Sequence, residues 1–264
     1  MTIQYFPGHM AKTIRQIEEH KDQIDVIYEL RDARAPKSSQ NPIVLSLLAH
    51  KPRIQIWTKA DLADLTMAKR MAKEESTPVL IVNVLGDPVI RLLAQATKQL
   101  LPDLAIVRAL VIGIPNVGKS TLINQMGHKA KVRVENRPGV TRHLQWITMS
   151  PSLRLLDTPG LLWQKFEDPE VALRLAALGM IPDTHFPRDD VYLFIAKYFF
   201  KHYPETFRHL YQTESHDPVE CMTDIARTRG LLRGNRFEEE RVYDIVRLDL
   251  QKGKLGRVFL DGPL

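Results

Sequence analysis

Apolar residues open this chain at helical spacing and then contract into short continuous runs. Met10, Ile14, Ile17, Lys21 and Ile24 fall on one stripe, with Lys12 and Arg15 off it, which predicts an amphipathic helix. The runs Val26–Leu30, Arg53–Trp57, Pro78–Val84 and Ala109–Ile112 predict strands, the last two of them buried. A short helix at Ile43–Ala49, a longer one after Pro88 reaching Leu101, and another over Thr121–Met126 separate them. Leu144–Met149 and Leu153–Leu156 predict a β-hairpin. From Asp168 onward the pattern is helical throughout. Asp168-Pro169 caps a helix to Leu178, Pro182 breaks the run, and helices follow over Val191–Tyr203, Pro218–Arg229 and Phe237–Lys252. An α/β domain over residues 1–166 and an all-helical domain over 167–264 are therefore expected, with no internal repeat.

Chemistry concentrates where the predicted strands end. Gly113-Ile-Pro-Asn-Val-Gly-Lys-Ser120 fits G-x-x-x-x-G-K-[ST] between a strand and a helix. Its glycines let backbone N–H groups converge on an anion, and the helix N-terminus adds partial positive charge. Asn116, Val117, Gly118, Lys119, Ser120 and Thr121 are thus the candidate phosphate-binding residues. Lys119 reaches the β- and γ-phosphates, and the Ser120 hydroxyl is a magnesium ligand. The second predicted strand runs into Thr58-Lys59-Ala60-Asp61, which fits [NT]-K-x-D. In a chain with a phosphate loop, an aspartate there accepts from guanine N1–H and N2–H₂, a donor pair that adenine lacks. The stem of Lys59 covers the base. Thr58 stands where asparagine is usual, so a weaker tie back to the phosphate loop is expected. The hairpin's second strand ends in Asp157-Thr-Pro-Gly160, with Asp157 a water-mediated magnesium holder and the Gly160 N–H a γ-phosphate contact. Thr141, after Arg137-Pro-Gly, is the candidate switch threonine, with its hydroxyl on magnesium. No Ser-Ala follows the third strand. The donor to guanine O6 is left to a backbone N–H near Asn83 or Gly86.

Composition narrows the class. With 44% hydrophobic and 26% charged residues among 264, this is an ordinary globular chain. One cysteine excludes a disulfide framework and a cysteine-rich zinc site, and suits a reducing cytosol. There is no signal-like leader and no apolar run of membrane-spanning length, so no membrane partner and a cytoplasmic location are expected. A net charge of +6 favours a polyanionic partner. Arg227, Arg229, Arg233, Arg236, Arg241, Arg247 and Arg257, with Lys252 and Lys254, point to RNA contact by the helical region.

The base-reading motif precedes the phosphate loop, the reverse of a conventional small GTPase. All nucleotide loops lie on one sheet edge and chain ends often lie close together, so this is the order of a circular permutation. In that order the Asp157–Gly160 switch leads directly into the helical region. The motifs Phe6-Pro-Gly-His9-Met-Ala-Lys12, Asp32-Ala-Arg34, Thr58-Lys-Ala-Asp61, Gly113–Thr121, Arg137-Pro-Gly-Val-Thr141, Asp157-Thr-Pro-Gly160 and Trp163-x-Lys-Phe166 together span the chain. In them the sequence closely resembles the circularly permuted GTPases of the ribosome biogenesis GTPase A type. The resemblance implies a GTP/GDP-binding, Mg²⁺-dependent cytosolic hydrolase acting late in assembly of the large ribosomal subunit. It also implies that the helical domain contacts ribosomal RNA. Leu161 and Leu162 stand where many GTPases place a water-orienting glutamine, and the resemblance points to His9 for that role. Asn116 matches an asparagine that helps related potassium-dependent GTPases bind K⁺. A monomer off the ribosome is expected. Other readings stay open: a P-loop ATPase or nucleotide kinase, an RNA-binding module in which GTP is only a ligand, and a permuted GTPase acting on the small subunit.

Overall fold

The computed structural model describes residues 8–127, 144–162, 166–234 and 236–262, the side chains of residues 8, 9 and 43–45 apart. The first stripe becomes α1 (Gly8–His20), with Met10 and Ile17 buried beneath it. The helix begins at Gly8, within the motif Phe6-Pro-Gly-His9. The apolar runs become β1 (Val26–Asp32), β2 (Arg53–Thr58), β3 (Val79–Ile81) and β4 (Val107–Gly113). Short helix α2 (Pro42–Leu47), α3 (Leu65–Ala72), α4 (Val89–Leu100) and α5 (Lys119–Met126) alternate with them. The hairpin forms as β5 (Gln145–Ser150) and β6 (Leu153–Asp157).

These strands make one sheet in the order β3-β2-β1-β4-β6-β5, parallel except where β5 runs antiparallel to β6. Every residue of β1 is buried, as a central strand covered on both faces requires. The Tyr28 hydroxyl meets Thr97 Oγ1 at 2.8 Å, fixing α4 against it. β3 is three residues long and only half buried, shorter and wetter than the run Pro78–Val84 predicts. It is one of the sheet's two edge strands, and a turn begins at Asn83. Order changes direction between β1 and β4, so the crevice at the C-terminal ends of these two strands is the sheet's switch point, where open α/β sheets place ligands.

Residues 169–251 are helical: α6 (Pro169–Ala177), α7 (Arg188–His202), α8 (Pro204–Tyr211), α9 (Pro218–Thr228) and α10 (Glu239–Gln251). Asp168 caps α6 through Glu170 N–H at 2.8 Å, and Asp217 caps α9 through Val219 and Glu220 N–H, each helix with proline at its start. α7 packs along α6 and α10, burying Tyr192, Ile195 and Phe199. Among the described residues no helix is long and apolar enough to cross a membrane.

Candidate functional site

β4 delivers the chain to Gly113, where a β-carbon would lie 2.7 Å from Leu30 O and 2.8 Å from Val117 Cγ1. Only glycine lets the loop turn this close to β1. Asn116 (φ 58°) and Gly118 (φ 100°) then take left-handed conformations and aim the loop into the N-terminus of α5. Lys119 folds back over the loop, donating to Gly113 O at 3.0 Å and Ile114 O at 3.2 Å. An ammonium has three protons, so one remains for an anion held in the loop. Burial pushes the Lys119 ammonium down to about 8, against the attraction of Asp157. Ser120 and Thr121 follow in the first turn of α5, both half-buried.

Asp157 ends β6 opposite Val111, and Thr158 Oγ1 donates to Val111 O at 2.9 Å. The Asp157 carboxyl is 1% exposed, and its Oδ2 has no hydrogen-bond partner among the described residues. Burial pushes it up to about 6, although Lys119 and the Thr158 N–H pull the other way. A buried carboxylate oxygen without a donor favours a cation. Gly160 rests on the phosphate loop, where a β-carbon would stand 2.8 Å from Pro115 Cα. Leu161 N–H donates to Gly113 O at 3.2 Å, and Asn41 Nδ2 to Leu161 O at 2.7 Å. Leu161 and Leu162 are both buried in the core, and their side chains are apolar.

The base-reading tetrapeptide leaves β2 beside this loop. Thr58 Oγ1 donates to Val117 O at 2.6 Å, with Arg31 O at 3.2 Å as its second acceptor. The expected weak tie is a short hydrogen bond, because the hydroxyl sits where it reaches the phosphate-loop carbonyl directly. Lys59 is left-handed (φ 58°), and its ammonium lies 2.9 Å from Asp32. Burial alone would raise the Asp32 carboxyl; Arg34, at 3.0 and 2.8 Å, and Lys59 hold it well below the usual range. Asp61 is exposed in the following 3₁₀ turn. Next to it, Ala60 N–H donates to Val82 O, bringing the segment after β3 alongside. In that segment Asn83 N–H bonds Asp87 Oδ2 (2.7 Å), Leu85 N–H bonds Asn83 Oδ1 (3.1 Å), and Gly86 and Asp87 N–H bond Asn83 O. The four loops after β1, β2, β4 and β6 thus meet at one sheet edge although the chain visits them out of the usual order.

The family described as "50S ribosome-binding GTPase" matches residues 108–214, which begin at the phosphate-loop strand. Ribosome biogenesis GTPase A of Bacillus cereus is 39% identical over 280 aligned residues, covering 100% of this chain and 95% of its own. The chain belongs to the ribosome biogenesis GTPase A family. Its fold matches the GDP-bound structure of Thermotoga maritima YlqF with a TM-score of 0.69 at 28% identity, over 94% of this chain and 99% of that one. It matches the same protein bound to GNP with a TM-score of 0.67. The fold is that of a circularly permuted P-loop GTPase followed by helices.

Several expected site residues lie elsewhere. Thr141, with Arg137–Val140 and the basic Lys129, Lys131 and Arg133, lies outside the described residues, as do Phe6, Pro7 and residues 163–165. His9 stands in the first turn of α1, and its side chain lies outside the described set. Asn116 donates its amide Nδ2 to Gly179 O at 2.6 Å, a contact with the chain just after α6 that nothing in the sequence signalled. Part of the arginine tract is used internally. Arg229 pairs with Asp249 (2.5 Å), Arg247 with Asp183 (2.7 Å), Arg227 with Asp224 (2.7 Å) and Lys254 with Asp249 (3.0 Å). Arg233, Arg236, Arg241, Lys252 and Arg257 remain exposed, the first two on a tight turn between α9 and α10.

Proposed function

We propose that this GTPase is an assembly switch for the large ribosomal subunit, binding the precursor particle with GTP and leaving after hydrolysis. The observation that carries the reading is the seat of Gly160 on Pro115. After β6 ends at Asp157 the chain rests Gly160 on the phosphate loop and reaches α6 at Pro169. A γ-phosphate held by the Gly160 N–H therefore acts on the segment that feeds the helices. On this reading residues 1–166 form the nucleotide domain and residues 167–264 the particle-binding domain. The exposed Arg233, Arg236, Arg241, Lys252 and Arg257 face ribosomal RNA phosphates.

Magnesium suits the oxygen donors here. The unpartnered Asp157 Oδ2 and the hydroxyls of Ser120 and Thr141 would hold it, Asp157 through water, and it would neutralise charge on the β- and γ-phosphates. Asn116 is the candidate potassium ligand. Asn116 to Thr121 line the phosphates; Thr58, Lys59 and Asp61 bind the guanine. The Val84 N–H, which makes none of the turn's bonds given above, is the candidate donor to guanine O6. With Leu161 and Leu162 buried, the water-orienting group comes from another element, and His9 is that group. The protein works in the cytoplasm as a monomer when off the particle.

GTP hydrolysis in potassium buffer, with and without purified large subunits, tests this for the wild type and His9→Ala. Strong stimulation of the wild type, lost in His9→Ala at unchanged GTP binding, is expected. No response to subunits in either protein would remove the ribosomal assignment.

A further inference from the structure

The segment after α10 runs back to the base-reading loops. Gly253 passes Leu62 so closely that a β-carbon would stand 2.6 Å from its Cδ2. Val258 N–H donates to Leu62 O at 3.2 Å, and Asp64 N–H donates to Val258 O at 3.0 Å, a parallel bridge to the turn that carries Asp61. Phe259 fills a small separate core with Ala33, Trp57, Ala63 and Ala68. Leu260 N–H donates to Arg34 O at 2.6 Å. The Asp261 carboxylate accepts from Lys37 N–H at 2.5 Å and from Ser38 N–H and Oγ at 3.2 and 2.5 Å.

Two loops are fastened by this one segment. One holds Lys59 and Asp61; the other holds Asp32 and Arg34. They meet in the Lys59–Asp32 ion pair, whose Oδ2 also accepts from Arg34. Lys59 takes a left-handed conformation that non-glycine residues keep only when their surroundings impose it. The Ala60 N–H bond to Val82 O holds the turn on one side, and Val258 holds it on the other.

We propose that Val258–Asp261 are positioning residues for base recognition: this strap sets the Asp61 carboxylate and the Lys59 stem in register and so determines purine selectivity. The inference rests on the guanine reading of Asp61 given above. It also ties the base loop to α10 by a link independent of the Gly160 switch.

The test is the ratio of affinities for GDP and IDP, measured by calorimetric titration. IDP lacks the exocyclic amine that Asp61 would accept from. Wild type, Asp261→Ala, Val258→Pro and Asp61→Ala are compared. Asp61→Ala should abolish the preference for GDP, and the strap variants should narrow it roughly tenfold, the lower end of the effect of losing one hydrogen bond to a charged group. If Asp61→Ala loses the preference while Asp261→Ala and Val258→Pro keep the wild-type ratio, even at weaker binding of both nucleotides, the strap is merely structural and the proposal fails. If Asp61→Ala keeps the preference, the guanine reading fails and takes the strap's role with it.

Discussion

Thr58 Oγ1 donates to Val117 O at 2.6 Å, a single bond that joins the base-reading loop to the phosphate loop. Both residues are buried, so neither has water as an alternative partner. Thr58→Val keeps the shape and removes the donor, leaving a buried carbonyl unsatisfied. It should lower the unfolding free energy by about 1–3 kcal/mol in urea titrations, and GDP affinity should fall with it. Thr58→Ser, which keeps the hydroxyl, should recover most of both. Equal loss in the two variants would assign the effect to the methyl group instead.

Asp157 gives the site a pH signature. Its buried carboxyl titrates near 6 in the folded chain, above the ordinary carboxylate value of 3.8. The folded state therefore holds a proton more tightly than the unfolded chain. The contribution of this group to the stability of the nucleotide-free protein should be fully present below the lower value and be lost as pH rises through about 6. The loss is at most about 3 kcal/mol, taking about 1.4 kcal/mol per pH unit. Asp157→Asn should flatten this slope and stabilise the protein at neutral pH, while magnesium-dependent GTP binding declines. Thermal melts across this range in chelator provide the measurement, and an unchanged slope in Asp157→Asn would refute the assignment.

What the sequence revealed, and what it hid, follows from how far each signal reaches. The phosphate loop, Asp157–Gly160 and the strands are local patterns, and the strands fall where their residues predict except that β3 keeps only Val79–Ile81 of the run Pro78–Val84. α3 escaped notice because Ala68 is its only buried residue, too little for an apolar stripe. α8 is only eight residues long, with Phe207 and Tyr211 as its buried anchors. The internal partner of Arg247 could not be read from the sequence, because Asp183 lies far from it along the chain. The bonds from Val258 to Leu62 and from Asn116 to Gly179 join segments with no shared period, so no pattern announces them.

Glu29 is also a buried acid, but a fully partnered one. It accepts from Arg31 Nε and Nη2 at 3.1 Å each and from Arg53 at 3.3 Å, while Arg31 also reaches Glu75 at 3.2 Å. Glu29→Ala leaves Arg31 with Glu75 alone and removes the acid beside Arg53. It should cost about 3–5 kcal/mol, the range for breaking a buried pair by removing one partner. Chemical denaturation of this variant against Glu75→Ala, whose acid is more exposed, should show the larger loss for Glu29.

Gly179 connects the phosphate loop to the helices. Its carbonyl accepts from Asn116 Nδ2 at 2.6 Å, its φ is +75°, and a β-carbon would meet Gln251 Nε2 at 2.9 Å while that amide is bonded to Ala177 O. Gly179→Ala therefore combines left-handed strain with a displaced carbonyl. Gly230 offers the matched control: it has φ +65° with nothing within 4 Å of a β-carbon. Both alanine variants should lose about 1–2 kcal/mol of stability from the backbone alone. Only Gly179→Ala should also weaken nucleotide binding, because only there does the backbone hold a phosphate-loop side chain. Melting curves and GDP titrations of the two proteins decide the matter. Equal nucleotide affinities at equal destabilisation would mean that the Asn116–Gly179 bond carries no information between the helices and the loop.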